Sequence, residues 1–510
     1  MTANQKCLRR EWAAFRRPAR WAALAFFVLV VVAGGLLPAF GGRVSCDDPC
    51  PARPTGPDGS PVNDQFSFLH RDLGERGGIT VRMTSMTGTI TYPPPDHDRI
   101  VPGLVPWAKA GIIVKDGVRQ GSPYAALMLS GHHGVRMQHG YRHDVAGRAG
   151  GVSATSPRWL RLTRAGDTVT GFESPDGERW TRVGAARLPG LPSAVQVGLF
   201  AASPGDLTLR PAGLGGATQQ VRFTQASGVF DHVGLEGAAA GGWRWDAVGE
   251  MNRTDWEKDH LPSGAVEKGG RITVTGIGDI GPRDTEGARP VERTLVGLPL
   301  GLLPVLVVAV RFAASRDRGT PLVRRVLAAR AAVVGAVPFV AGLLAVGVVL
   351  PLGVAIMESN GVAVPAVSAS TEVRVVVATA AALALAAVFT VALGSLLRRT
   401  WLALGAAVLT VVVPYLVASV PLLSDEVSRW LLRVTPAAGF AAQQTLVEHR
   451  HVVAHYAPST GYFPLAWWAG LAVLAAYAVA FLWLAARRLP RGGEDMVHPS
   501  VDAPGAPVGA

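Results

Sequence analysis

Six arginines and a single acid, Asp317, lie within the stretch from Arg311 to Arg330, RFAASRDRGTPLVRRVLAAR. On either side stands a run without charge, Thr294 to Val310 before it and Ala331 to Met357 after it. A hydrocarbon core of about 30 Å takes roughly 20 helical residues to cross, so each run has, or nearly has, spanning length. Short loops rich in Arg stay on the cytosolic side during insertion. The stretch is therefore expected to be a cytosolic loop between two transmembrane helices.

Four further charge-free runs are Trp21 to Phe40, Val375 to Leu397, Trp401 to Leu423 and Leu465 to Ala486. A single charge at mid-bilayer costs about 2.5 to 3.5 kcal/mol on the insertion scale, so clean runs of this length are not expected by chance. Arg398-Arg399 and Arg487-Arg488 close two of them on the side predicted to be inside, whereas Glu358 and Glu372 fall outside. The basic segment ahead of Trp21 and the length of the run that follows favour a first transmembrane helix over a cleaved signal peptide. The expected fold class is a polytopic α-helical membrane protein with six transmembrane helices, a multi-pass protein of the lipid bilayer with both termini cytosolic.

The net charge of +12 invites a nucleic-acid reading, but the basic residues are almost all Arg and many sit at the ends of apolar runs. No basic stretch is interleaved with aromatics as a single-strand groove needs, so no nucleic-acid partner is expected. Cys46 and Cys50, in CDDPC, follow the first span. They are a possible disulfide if a turn through Pro49 brings them together, and otherwise two unpaired thiols.

Between the first two spans the pattern changes. Residues 41–63 are rich in Pro, Gly and Asp and read as a linker. From Asp64 to about Pro290 no run has spanning length, and short segments alternate with period two. In ITVRMTSM, Ile79, Val81 and Met83 fall on one face and Thr80, Arg82 and Thr84 on the other, as in a half-buried strand. WLRLTR from Trp159, TVTGF from Thr168, VQVGLF from Val195 and RITVTGI from Arg271 read likewise, with turns at Ala165-Gly166-Asp167 and Pro175-Asp176-Gly177. Many short strands with regular turns predict an inserted all-β sandwich between helices 1 and 2. It is expected to lie outside, because it follows a span that begins inside.

VPWAKAGIIVKDG (Val105 to Gly117), GVRMQ (Gly134 to Gln138), the stretch from Pro157 to Gly184 and VGLF (Val197 to Phe200) resemble concanavalin-like jelly rolls related to laminin-G modules. The resemblance covers most of residues 64–215 and implies a jelly-roll fold for the inserted sandwich. A second resemblance lies in the membrane part, in Val291 to Thr320, Val326 to Ala345, Thr371 to Thr400, Leu431 to Thr445 and Tyr456 to Ala480, and in the N-terminal segment with Glu11 and Trp12. These look like the permease subunits of bacterial type-2 ABC exporters, especially actinobacterial ones. In those permeases an acidic-aromatic-Arg-Arg-Gly motif precedes a cytosolic coupling segment. Here Arg318 and Gly319 remain, while Ser315 and Arg316 stand where Glu and Tyr are usual.

The second resemblance implies a cell-membrane subunit that works as a homodimer, or as a pseudo-dimer with a second permease, on a separate ABC ATP-binding subunit. Arg316, Arg318, Gly319, Arg324 and Arg325 are then the expected ATPase-docking loop, with Arg supplying charge-assisted hydrogen bonds. The chain has no G-x-x-x-x-G-K-[ST], so ATP hydrolysis is expected in the partner and no catalytic residue or cofactor in this chain. The domains expected are a cytosolic segment 1–20, a first helix 21–40, the linker 41–63, an extracytoplasmic sandwich region 64–290, helices two to six within 291–487, and a disordered cytosolic tail 488–510.

Other chemistry has plainer readings. Glu173, Asp176 and Glu178 invite a glycosidase dyad, but Pro175-Asp176-Gly177 breaks the strand and is what a tight turn wants. His132, His133, His139 and His143, and again His449, His451 and His455, form clusters without the spacing of a metal site, and none is expected. Pro338, Pro351 and Pro414 interrupt apolar runs and are read as packing features. Arg429 to Arg433 reads as a short amphipathic interfacial helix. Alternatively, the spans only anchor an extracytoplasmic domain that binds a glycan or another ligand.

Overall fold

The computed structural model describes residues 3–489 apart from 42–53, 93–98, 213–215, 240, 250–258, 284–290, 316–322, 363, 365–366, 398, 421–422, 447, 450, 453–457 and 459–460. Contacts divide the chain into two units. One comprises Met1–Val44, Arg289–Leu446 and Tyr456–Ala510; the other comprises Ser45–Ala288 and Val447–His455.

The first unit is helical. Its elements are α1 (Ala3–Phe15), α2 (Pro18–Phe40), a 3-10 turn (Val291–Leu295) leading into α3 (Leu298–Ala314), α4 (Arg324–Ser359), α5 (Ala369–Leu397), α6 (Thr400–Ser419), α7 (Asp425–Val434), a second 3-10 segment (Pro436–Gln443) and α8 (Trp467–Arg487). Six of the helices are long and apolar enough to cross a membrane. A proline opens two of them. Arg17 is extended, as a residue before proline prefers, and Pro18 starts α2, while Pro299 sits in the first turn of α3 and moves its start past the Thr294 expected from charge alone. Pro338 and Pro351 lie inside α4 without ending it.

Pro414 acts differently. Lacking an N–H and clashing with the carbonyl four residues back, it is accommodated by a π turn over Val408–Val412, where the Val413 N–H reaches back to Val408 O. Glycines bring helices together: a Cβ on Gly35 would stand 2.0 Å from Thr294 O, and one on Gly34 2.6 Å from Gly297 Cα. Small residues at such a crossing let two backbones touch, which is how apolar helices gain contact in lipid.

The second unit is an antiparallel β domain. Its strands are β1 (Val62–Asp64), β2 (Phe66–Thr91), β3 (Ile100–Pro102), β4 (Lys109–Lys115), β5 (Tyr124–Ser130), β6 (Gly134–His139) and β7 (His143–Ala146). They continue with β8 (Arg158–Ala165), β9 (Thr168–Ser174), β10 (Thr181–Arg187), β11 (Val195–Ala202), β12 (Asp206–Ala212), β13 (Gly216–Ala238), β14 (Arg244–Val248), β15 (Gly264–Lys268), β16 (Arg271–Gly276) and β17 (Ile280–Pro282). The 26-residue β2 is the spine. Near residue 70 it pairs with β11 and β14, and from Arg76 to Met83 with β8 and β13. Bulges in β13 opposite it, and Gly77 at φ 148°, provide the bends so long a strand requires.

One core gathers inward residues from β2, β4, β5, β6, β8, β9, β11, β13 and β16, so the sheet folds over on itself as a sandwich. Ile79, Val81 and Met83 all point into it, as the alternation predicts, and the expected hairpin turns hold Gly166 and Gly177 at positive φ. A second core, with Phe66, Phe68, Ile113, Tyr124 and Phe200, lies on the other face and is closed by Val62 of β1 and Ile280 of β17. The β unit therefore begins inside the 41–63 stretch read as linker. It also takes in 447–455, which sequence alone assigned to the membrane part.

Candidate functional site

The arginine-rich stretch is flanked by a frame of ionic and capping contacts. Arg330, 8 % exposed on α4, pairs with Glu11 of α1 at 3.0 Å and donates to the C-terminal carbonyl of Ala313 on α3, also at 3.0 Å. Phe312 fills the angle between them: Phe15 meets it edge-on at 5.3 Å, and the guanidinium of Arg20 lies 4.7 Å above its ring. Arg20 in turn donates to Ala14 O at 2.6 Å, which closes the α1–α2 corner. Arg324 Nε donates to Ala486 O at 2.9 Å and to Leu489 O at 3.3 Å, capping α8. A helix end leaves four carbonyls without partners, and cations are favoured there.

Of the expected docking residues, the half-buried Arg324 uses its Nε within the chain, and Arg325 is exposed. Arg316, Arg318 and Gly319, like Cys46 and Cys50, lie outside the described residues. The two ends of the 316–322 segment are held by different helices of one frame. Ser315 bonds back to Phe312 O at 2.7 Å, and Val323 leads into α4 beside Arg324.

Within the β unit the acids that suggested glycan hydrolysis have structural duties. Glu173 is buried and accepts the Arg148 N–H at 2.7 Å. Asp176 accepts the backbone N–H groups of Glu178 and Arg179 at the β9–β10 turn, which holds its carboxyl well below the usual carboxylate range. Glu178 is exposed. His139 and His143 stack on each other, and His133 stacks on Trp107 with ring centroids 3.8 Å apart. Among the described residues no group of His, Cys, Asp or Glu is arranged to hold a metal ion.

Three features escaped sequence reasoning. Lys109 and Lys115, at opposite ends of β4, are both fully buried. Lys115 Nζ lies 2.6 Å from Asp64 Oδ2, which also accepts from Tyr141 Oη and the Gly121 N–H. Burial pulls the Lys115 ammonium down and pushes the Tyr141 hydroxyl well up. Lys109 pairs with Asp279 and donates to Ile280 O at 2.7 Å. The signal was present in KAGIIVK, where two lysines interrupt a strand apolar on both faces.

Second, His451 is 5 % exposed in the β unit, edge-on to Trp107 and beside Gly281, in electrostatic reach of Lys109, Asp144 and Asp279. Burial, then Lys109, lowers its imidazole to about 4. Third, Glu292 and Arg374 are polar groups inside the helical unit. Glu292 Oε1 accepts from Thr445 Oγ1 at 2.6 Å and from its N–H, and Arg374 donates to Gln444 O at 2.6 Å.

Comparison with known proteins adds little. No family model matches the chain, and no curated protein does. Among solved structures it is similar to a functionally unknown protein from Saccharomyces cerevisiae, at 20% identity over 34% of this chain and 76% of that one, with a TM-score of 0.21. It is also similar to scytalido-glutamic peptidase at 7% identity over 42% and 98% of the two chains, with a TM-score of 0.28. For the GH43 BlXynB protein from Bacillus licheniformis the identity is 13%, over 34% and 28% of the chains, with a TM-score of 0.18. Likenesses this low decide neither a fold family nor an activity. What stands, among the described residues, is six helices apolar enough to cross a membrane and a large β-sandwich domain inserted in the sequence between the first of these six and the rest.

Proposed function

We propose that the chain is the membrane-spanning permease subunit of an ABC exporter, driven by ATP hydrolysis in a separate ATP-binding subunit and working as a dimer. The observation that supports this reading best is the frame of Glu11, Arg330 and Arg324 around the ends of the 316–322 segment. An energy-transducing loop has to be joined stiffly to the helices that it moves. A buried, hydrogen-bonded arginine network does this better than apolar side chains alone, because its geometry is directional. In this reading Arg316, Arg318, Gly319 and Arg325 face the ATPase, and Arg324 keeps α8 attached to the moving unit. Both termini are cytosolic, and residues 41–290 form an extracytoplasmic domain with a concanavalin-like jelly roll.

The test is expression with a C-terminal tag in the native host, gentle solubilisation and identification of what co-purifies. A stoichiometric partner with a phosphate-binding loop is expected, with ATP hydrolysis that disappears when its loop lysine is changed. Recovery of the chain without such a partner would overturn the reading.

A second reading, a membrane-anchored binding protein, draws on one surface of the β unit. There the Arg161 guanidinium lies 3.9 Å above the Trp180 ring, and His232, at φ 48° on a β-bulge, meets Trp159 edge-on. Half-exposed aromatic faces next to cations are suited to stacking on sugars or other planar groups. Envelope glycan in the eluate, with no ATPase, would favour it.

A further inference from the structure

The chain enters the sheets of the β unit through β1, three residues that pair with β17 in a two-stranded sheet of their own. So short a strand has few hydrogen bonds to hold it, and elements of that kind are the first to open. Asp64 ends β1, and its carboxyl meets Lys115 of β4, a strand flanked by β11 and β5. Both side chains are fully buried, and Lys115 Nζ lies 2.6 Å from Asp64 Oδ2.

The two carboxyl oxygens of Asp64 differ. Besides Lys115, Oδ2 accepts from Tyr141 Oη at 2.7 Å and from the Gly121 N–H at 2.8 Å. Oδ1 is buried and has no hydrogen-bond partner among the described residues. A buried carboxylate with one oxygen bare is costly, whereas an amide carbonyl has only one oxygen to satisfy. The surroundings suit a condensed pair. Its carbonyl keeps the bonds from Tyr141 and Gly121, and its single N–H keeps Ser122 O, which lies 3.2 Å from Nζ. Burial also pulls Lys115 towards the neutral amine, the form that attacks carbon.

We infer that Lys115 and Asp64 condense to an intramolecular isopeptide bond, a covalent modification that ties β1 to β4. The lone pair of Nζ forms the N–Cγ bond, while Tyr141 Oη and the Gly121 N–H stabilise the charge that gathers on Oδ2. Two of the three ammonium protons end on Oδ1, which leaves as water when the Cγ–Oδ1 bond breaks with its electron pair on oxygen. Nothing is oxidised or reduced, so no co-reactant is required. Lys109 and Asp279 are expected to stay an ion pair, because the Asp279 carboxyl is partly open to solvent. The bond is independent of the 316–322 segment and of any ATPase.

The full chain, purified in detergent and denatured, is weighed intact and then digested with trypsin. The expected result is a mass one water below that of the sequence, no cleavage after Lys115, and a branched peptide whose fragments join Asp64 to Lys115. Lys115→Arg, which keeps the charge but lacks the attacking amine, and Asp64→Ala should each restore unbranched peptides and the full mass of the variant. If neither variant folds, the branched peptide of the unaltered chain decides. The full sequence mass with cleavage after Lys115 would overturn the inference. A succinimide at Asp58-Gly59, Asp116-Gly117 or Asp176-Gly177 also loses one water but leaves the chain unbranched. That result, or a branch through Lys109 and Asp279 in place of Lys115 and Asp64, would overturn it equally.

Discussion

Lys109 and Lys115 are six residues apart on β4 and so share a face; each reaches an acid that arrives from elsewhere in the chain, Asp279 and Asp64. Glu11 and Arg330 repeat the arrangement in the helical unit. A buried pair of this kind contributes little net stability against an apolar replacement, but breaking it strands a charge. Glu11→Ala is therefore expected to cost roughly 3–5 kcal/mol and to lower the melting temperature in detergent markedly, whereas Glu11→Leu with Arg330→Met recovers most of the loss. Thermal melts of the two variants check this. If the single and double variants melted alike, the pair would not be what holds α1 to α4. In the permease reading the double variant folds yet couples poorly, because an apolar contact slides where a hydrogen-bonded ion pair does not. In the sequence Lys109 and Lys115 stand at the ends of an apolar strand, and Glu11 stands in a basic segment. The sequence could not show their partners, which are 51 to 319 residues away.

At the scale of elements, the spans were legible because exclusion of charge is a local property, and the strands because side chains alternate with period two. Boundaries shifted where a local rule intervened, as at Pro299, or where a helix ran on past its apolar run, as α4 does from Arg324 to Ser359. The close approach of α2 to the Val291–Gly297 region depends on two glycines in GGLL. Gly35→Val places its side chain against Thr294 O and Val349, and is expected to destabilise by roughly 1–3 kcal/mol. Gly347→Val, whose Cβ meets Val376 only at 3.9 Å, serves as the control and is expected to be near neutral. Fluorescence-detected size exclusion after heating separates the two, and equal losses would remove Gly34 and Gly35 as the packing determinant.

At the scale of the whole molecule, the chain passes from helical unit to β unit and back twice, once around residues 45–288 and once around 447–455. The second excursion is short, and His451 is its buried anchor. The imidazole is lowered to about 4 when held by the sandwich, so it is neutral well above that pH, and it titrates near 6.5 when released. The released form therefore binds more protons between those values. The anchoring is fully present above about pH 6.5 and weakens as pH falls towards 4, by at most about 3 kcal/mol. The charged or titratable groups that face it are Lys109, Asp144, Asp279 and His449, and Arg136 holds the Asp144 carboxyl below the usual carboxylate range. Hydrogen exchange at 448–452, corrected for intrinsic rate, is expected to rise between pH 7.5 and pH 5. His451→Asn should flatten that rise, and an unchanged pH dependence in the variant would assign it to another group.

The sequence by itself determined where the chain can lie in a bilayer and that a β domain is inserted after the first span, because hydropathy and alternation act over neighbouring residues. It also marked the arginine-rich stretch as distinctive. Only the tertiary structure decided that Arg324 caps a helix and that His451 belongs to the sandwich. Each of these outcomes depends on groups brought together from distant parts of the chain, where burial, and not composition, sets the free energy of a charge or a hydrogen bond.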